Sequence, residues 1–157
     1  IVTLFRLLEQ PQRYSAGVIS GAPLVPVAAL LTTNASFELD PAWLSGDPFY
    51  LDALENDPLA FVDADTAQLT RELDRAWDCF GAELPKLTVP TLAVHGEDDP
   101  IADVGAVRAY AEQIEALQCR EYDGARHDIL NDSVHREVAA AIVDFIGEQT
   151  QNRTPAA

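Results

Sequence analysis

The chain is expected to fold as an α/β protein built on a parallel sheet. Three observations carry that expectation. Short apolar runs rich in β-branched residues recur at Gly17–Ser20, Thr88–His95 and Gln118–Tyr122. Stretches with apolar residues at helical spacing lie before, between and after them. Pro and Gly mark most of the junctions. Strands alternating with helices imply parallel pairing through right-handed crossovers.

Taken in order, Ile1–Gln10 reads as a helix, with Leu4, Leu7 and Leu8 on one stripe and Pro11 as its stop. Tyr14–Leu24 reads as a buried strand centred on Gly17-Val18-Ile19-Ser20, ended by Gly21, Pro23 and Pro26. From Pro26 to Gly81 the character changes. Pro41, Pro48 and Pro58 separate short apolar clusters, which predicts short helices and loops. Trp43, Phe49, Tyr50 and Phe61 are expected to form a small core there more often than to touch a substrate. One longer helix follows, with Leu69, Leu73, Trp77 and Phe80 on its stripe. Asp65 and Gln68 resemble a capping box at its start, and Gly81 can end it.

Thr88–His95 is the second strand, with Pro90 near its start where a missing N–H is tolerated. Gly96–Pro100 is a turn. Asp103 is expected to cap a helix reaching about Leu117, with Val107, Tyr110, Ala111 and Ile114 inward. Gln118–Tyr122 is the third strand and Asp123–His127 a loop. A last helix spans about Val134–Gln149, and the residues after it read as a polar, disordered tail.

Composition narrows the function. Ten Lys and Arg stand against 26 Asp and Glu, a net charge of −16. That balance excludes the basic face a nucleic-acid partner needs and disfavours anionic lipid. No run of about 18 apolar residues exists, so no membrane span is expected. Cys79 and Cys119 are too few and too far apart for a disulfide framework, and both are expected to be free and partly buried. No pattern of metal-ligand spacing occurs, so neither a metal nor a cofactor is expected.

In parallel sheets, sites lie beyond the C-terminal ends of the strands. Two loops meet that condition. Gly96–Asp103 carries carboxylates, and Asp123–Asp132 carries His127. A carboxylate and a His on neighbouring strand ends form the acid–base half of a Ser-His-Asp triad, in which the His takes the nucleophile's proton and the carboxylate orients it. Asp98 and Asp99 both stand in the first loop as candidates for that acid. Asp103 reads as a helix cap, His95 as a structural residue and His135 as an exposed one.

Here a resemblance becomes specific. Pro90-Thr91-Leu92-Ala93-Val94-His95-Gly96-Glu97-Asp98-Asp99-Pro100-Ile101 resembles the P-x-L-x-x-H-G-x-x-D-x-I/L segment of α/β-hydrolases. Asp123-Gly124-Ala125-Arg126-His127 resembles their x-G-x-x-H loop. Leu44-Ser45-Gly46-Asp47-Pro48 and Asn56-Asp57-Pro58-Leu59 are similar to the cap of monoacylglycerol lipases and lysophospholipases within that superfamily. The resemblance implies the C-terminal part of an α/β-hydrolase fold, with the last three parallel strands and flanking helices. It implies core at 1–25, a mostly helical cap insertion at 26–82 and core again at 83–150.

It also implies Asp99 as the acid, His127 as the base and Ile101 as a lining residue of the acyl pocket. The substrate would be a small-molecule ester or lipid. The family's nucleophile motif G-x-S-x-G is absent, since Ser15, Ser20, Ser36, Ser45 and Ser133 lack the flanking glycines. The chain has no Met and opens Ile1-Val2-Thr3. A cut just after the nucleophile is therefore expected, and the chain alone is expected to lack esterase activity. Rival readings are a peptidase, dehalogenase or epoxide hydrolase of the same fold, or a non-catalytic binding protein.

Overall fold

The computed structural model of the chain describes residues 2–26, 40–59 and 66–151, with backbone alone for 66–70. Ile1, Phe61, Asp65, the side chains of Gln68 and Leu69, and the expected tail beyond 151 lie outside the described residues.

Helix α1 (Val2–Glu9) runs up to Pro11 as the spacing predicts, and Leu4 and Leu7 are its buried stripe. Strand β1 is Gly17–Ser20, shorter than the expected Tyr14–Leu24. Pro11–Arg13 instead makes a 3-10 turn, and Gly21 leaves the sheet with φ +49. That left-handed conformation costs a residue with a Cβ about 1–2 kcal/mol, so glycine ends the strand cleanly.

Helix α2 (Pro48–Glu55) begins where Asp47 accepts from the Phe49 and Tyr50 N–H groups. Helix α3 (Thr66–Phe80) ends at Gly81 as expected. Phe80 is buried and meets Trp77 edge-to-face at 5.4 Å. Phe49 contradicts the expected small core, being 85% exposed, because α2 presents only part of its surface inward. Cys79 is likewise exposed and not partly buried, since it lies off the α3 stripe, whereas Cys119 is half-buried.

Strand β2 (Thr91–Gly96) is central and every residue in it is buried. Its order in the sheet is β1-β2-β3, and both pairings are parallel. Gly17 aligns with Thr91 and Ser20 with Val94. Thr91 aligns with Leu117, and Gly96 with Tyr122 in β3 (Leu117–Tyr122). Pro90 sits just before β2, where its carbonyl accepts from Gly17 N–H at 2.9 Å.

Helix α4 (Val104–Ala111) stops well short of Leu117. Leu117 is drawn into the sheet opposite Thr91, and residues 112–116 must make the return. Helix α5 (His135–Gln151) is the last described element, and it ends about two residues later than expected.

Two apolar clusters lie on opposite faces of the sheet, as the alternation of β2 requires. Ala93 joins Leu4, Leu7, Phe80, Val107 and Ile114 on one face. Leu92 and Val94 join Val138 and Phe145 of α5 on the other. Each fully buried aliphatic side chain there stabilises the fold by about 1.5–3 kcal/mol. This three-layer frame places the loops after β2 and β3 side by side at one end. No helix among the described residues is long and apolar enough to cross a membrane.

Candidate active site

The turn after β2 is clamped by backbone bonds. Glu97 N–H donates to Tyr122 O at 3.0 Å and Asp98 N–H to Ala125 O at 3.0 Å. Gly96 lies tight against the Ala125 and Arg126 carbonyls, where a Cβ would not fit. The Asp98 side chain is left outward and exposed. Asp99 points in, with only 1% of its side chain exposed. Its Oδ1 accepts from Ile101 N–H at 2.8 Å and Ala102 N–H at 2.9 Å. Its Oδ2 faces His127 Nδ1 at 2.9 Å and His95 Nε2 at 3.2 Å.

Of the two carboxylates weighed from the sequence, Asp99 therefore meets His127 and Asp98 does not. Ile101 is brought next to this pair through its N–H, and its side chain is half-buried. Asp103 is a helix cap, accepting from Gly105 N–H at 2.7 Å. His135 is exposed, with Nδ1 near Asp132 O.

Burial pushes the Asp99 carboxyl up. Hydrogen bonds from His127, His95 and Ala102, and attraction to an imidazolium at His127, more than reverse that and hold it well below the usual carboxylate range. It stays an anion at neutral pH. Facing an anionic acceptor, His127 carries its proton on Nδ1, which leaves Nε2 as the basic atom. The His127 side chain is 27% exposed, so that atom can be reached. A buried carboxylate behind a reachable imidazole can take a proton from a hydroxyl and hold the resulting cation.

His95 was expected to be structural only, and it is fully buried. Its Nε2 lies 2.8 Å from Ala102 O as well as facing Asp99, so Nε2 bears the proton and serves two acceptors. It thus supports the acid from behind. The spacing His95-x-x-x-Asp99 across a tight turn is the signal that could have found it.

The His127 loop (residues 123–132) turns at Gly124, φ +68, and buries Ala125. His127 N–H donates to Trp43 O at 3.4 Å, and Asp128 N–H to Leu44 O at 2.7 Å. The Arg126 guanidinium reaches the carbonyls of Ala42 and Ser45. Ser45 Oγ donates to Asn131 O at 3.1 Å, and Tyr50 Oη to Asp128 Oδ2 at 2.7 Å. Asp132 is fully buried and accepts from Gly46 and Arg126 N–H groups. Gly21 backs the imidazole, since a Cβ there would stand 3.1 Å from Nδ1. Gly21 and Asp132 carry no local signal of this role, because each acts on a residue far away in sequence. Among the described residues no cluster of His, Cys, Asp and Glu could hold a metal ion.

The same architecture occurs in known proteins. The chain is 27% identical over 152 residues to the monoacylglycerol lipase of Mycolicibacterium smegmatis, covering 87% of this chain and 54% of the lipase. The crystal structure of Paleococcus ferrophilus monoacylglycerol lipase superposes with TM-score 0.75 at 21% identity, over 93% of this chain and 63% of that one. A soluble variant of Saccharomyces cerevisiae monoglyceride lipase superposes with TM-score 0.72 at 17% identity, over 94% and 61%. The chain thus spans a little over half the length of these relatives. The family model described as serine aminopeptidase, S33 matches residues 2–134. With its parallel strands, flanking helices and this match over most of its length, the chain belongs to the serine aminopeptidase S33 family of α/β-hydrolases.

Proposed function

We propose that the chain is the acid- and base-bearing part of a serine ester hydrolase acting on monoacylglycerols, lysophospholipids or similar carboxylic esters. The observation that carries this reading is the His127 Nδ1–Asp99 Oδ2 contact of 2.9 Å at the ends of neighbouring parallel strands, with the carboxylate buried behind it. The nucleophilic serine is contributed by residues outside these 157, since no G-x-S-x-G occurs among them.

His127 Nε2 takes the serine proton as the hydroxyl attacks the ester carbonyl, and Asp99 stabilises the imidazolium. The imidazolium then protonates the departing alcohol. That leaves an acyl-serine; in the second half His127 deprotonates a water whose oxygen attacks the acyl carbon, and the proton passes to the serine oxygen as the acid is released. Ile101 lines the acyl pocket, and residues 26–82 act as a cap over it. A neutral ester suits an acidic surface better than an anionic substrate does.

The test uses the full-length enzyme. His127→Ala should lower kcat by roughly 10⁶ and Asp99→Asn by roughly 10⁴, the losses expected when a triad loses its base or its orienting acid. Near-normal turnover in either variant would overturn the assignment. Hydrolysis of monoacylglycerol with no cleavage of aminoacyl p-nitroanilides supports the esterase over a peptidase, and the reverse overturns it. The 157-residue chain alone should not turn over p-nitrophenyl butyrate.

A further inference from the structure

Asp132 is a carboxylate with no solvent exposure and, among the described residues, no cation paired with it. A buried charge of that kind persists only if hydrogen bonds replace its hydration. Three backbone N–H groups do so. Oδ1 accepts from Ser133 at 2.7 Å and from Gly46 at 3.1 Å, and Oδ2 accepts from Arg126 at 2.8 Å. Together with a contribution from the Ser133 side chain, these bonds outweigh burial and hold its carboxyl below the usual range.

The donors define what the group does. Ser133 is local to the start of α5. Gly46 lies 86 positions away, in the connection between β1 and β2. Arg126 immediately precedes His127. The other bonds joining these two segments leave the Arg126 N–H untouched.

We propose that Asp132 is a positioning residue for His127. Its carboxylate fixes the Arg126–His127 backbone against Gly46, at the height from which the imidazole reaches Asp99. It touches no substrate, because it is wholly enclosed. The inference rests on reading His127 as the base, but its geometry can be tested without any turnover.

The bland alternative is that Asp132 merely starts α5. Asp132→Asn separates the two. An amide can keep two of the three bonds by turning its oxygen to Gly46 and Ser133, so the bond lost is the one to Arg126. The probe is the His127 Nδ1 proton in the ¹⁵N-labelled 157-residue chain, assigned by its loss in His127→Gln. It should exchange with solvent at least about tenfold faster in Asp132→Asn. Ile114→Val, a buried variant in the apolar cluster on the opposite face of the sheet, lowers stability away from the loop and should leave it at the wild-type rate. A wild-type rate in Asp132→Asn, or equal acceleration in both variants, overturns the proposal.

If Asp132→Asn does not fold, the wild-type chain gives the same test. The Arg126 amide and the His127 Nδ1 proton should then share one opening rate, and independent opening overturns the inference. Active full-length His127→Ala would sink the hydrolase reading and leave this loop measurement standing on its own.

Discussion

Asp99 and His127 meet at 2.9 Å, yet the loops that carry them are held by different means. The acid turn is held by its own residues and by the neighbouring strand end, where Glu97 and Asp98 N–H groups donate to Tyr122 and Ala125. Asp99 bonds to Ile101 and Ala102, and His95 backs it from four positions earlier. The His127 loop leans on residues 42–50, more than 75 positions away, through Trp43, Leu44, Ser45, Gly46 and Tyr50. The acid is thus organised at the ends of β2 and β3, without residues 42–50. The placement of the imidazole depends on how the β1–β2 connection docks.

The largest expected effect probes the acid side. Asp99 has its carboxyl held below the usual range in the folded state. Such a group contributes stability that is fully present above its unfolded pKa of about 3.9 and lost as pH falls through the folded value. Wild-type protein should therefore lose stability below about pH 4 more steeply than Asp99→Asn. At pH 7 the Asn variant should be less stable by roughly 1.5–3 kcal/mol, the worth of a hydrogen bond to a charged group. Urea unfolding at several pH values measures both. Parallel acid limbs in the two proteins would show that the folded state does not favour this carboxylate.

A smaller effect is expected where the end of β1 meets the His127 loop. Gly21 has φ +49, and a Cβ there would meet His127 O at 2.8 Å and Nδ1 at 3.1 Å. Gly21→Ala should cost about 1–2 kcal/mol from the backbone conformation. It should also shift the imidazole away from Asp99. The readout is the His127 Nδ1 proton, which should broaden while the Ile101 and Ala102 amides keep their protection. Loss of protection at both places would mean that the acid turn is less independent than its local bonds imply.

This contrast also marks what could be read from the sequence. The parallel sheet was legible because β2 centres on the apolar run Leu92-Ala93-Val94 and is buried along its whole length. The two loops were legible from strand ends and chain order, and the resemblance singled out Asp99 and His127 within them. The length of α4 was not, since Tyr110, Ala111 and Ile114 continue a helical stripe while Leu117 is claimed by Thr91 across the sheet. His95 was half legible, as a structural residue without its partner. Asp132 was illegible, because its meaning depends on Gly46 and nothing near it in sequence announces that bond.

The smallest effect tests the docking of the β1–β2 connection alone. Tyr50 Oη donates to Asp128 Oδ2 at 2.7 Å, the residue next to His127. Burial, that hydrogen bond and the nearby negative charge push the phenol up to about 12. A raised phenol pKa contributes stability below the unfolded value of about 10, which is lost as pH rises through the folded one. One of the four tyrosines should therefore titrate late in an absorbance titration, and Tyr50→Phe should remove that step. The same variant should lose about 0.5–1.5 kcal/mol at neutral pH, as for an ordinary hydrogen bond at a half-exposed site. Amide exchange should quicken across 127–131 and remain unchanged across 97–102. Equal acceleration in both segments would show that the acid turn also leans on residues 42–50, and the difference between the loops would vanish.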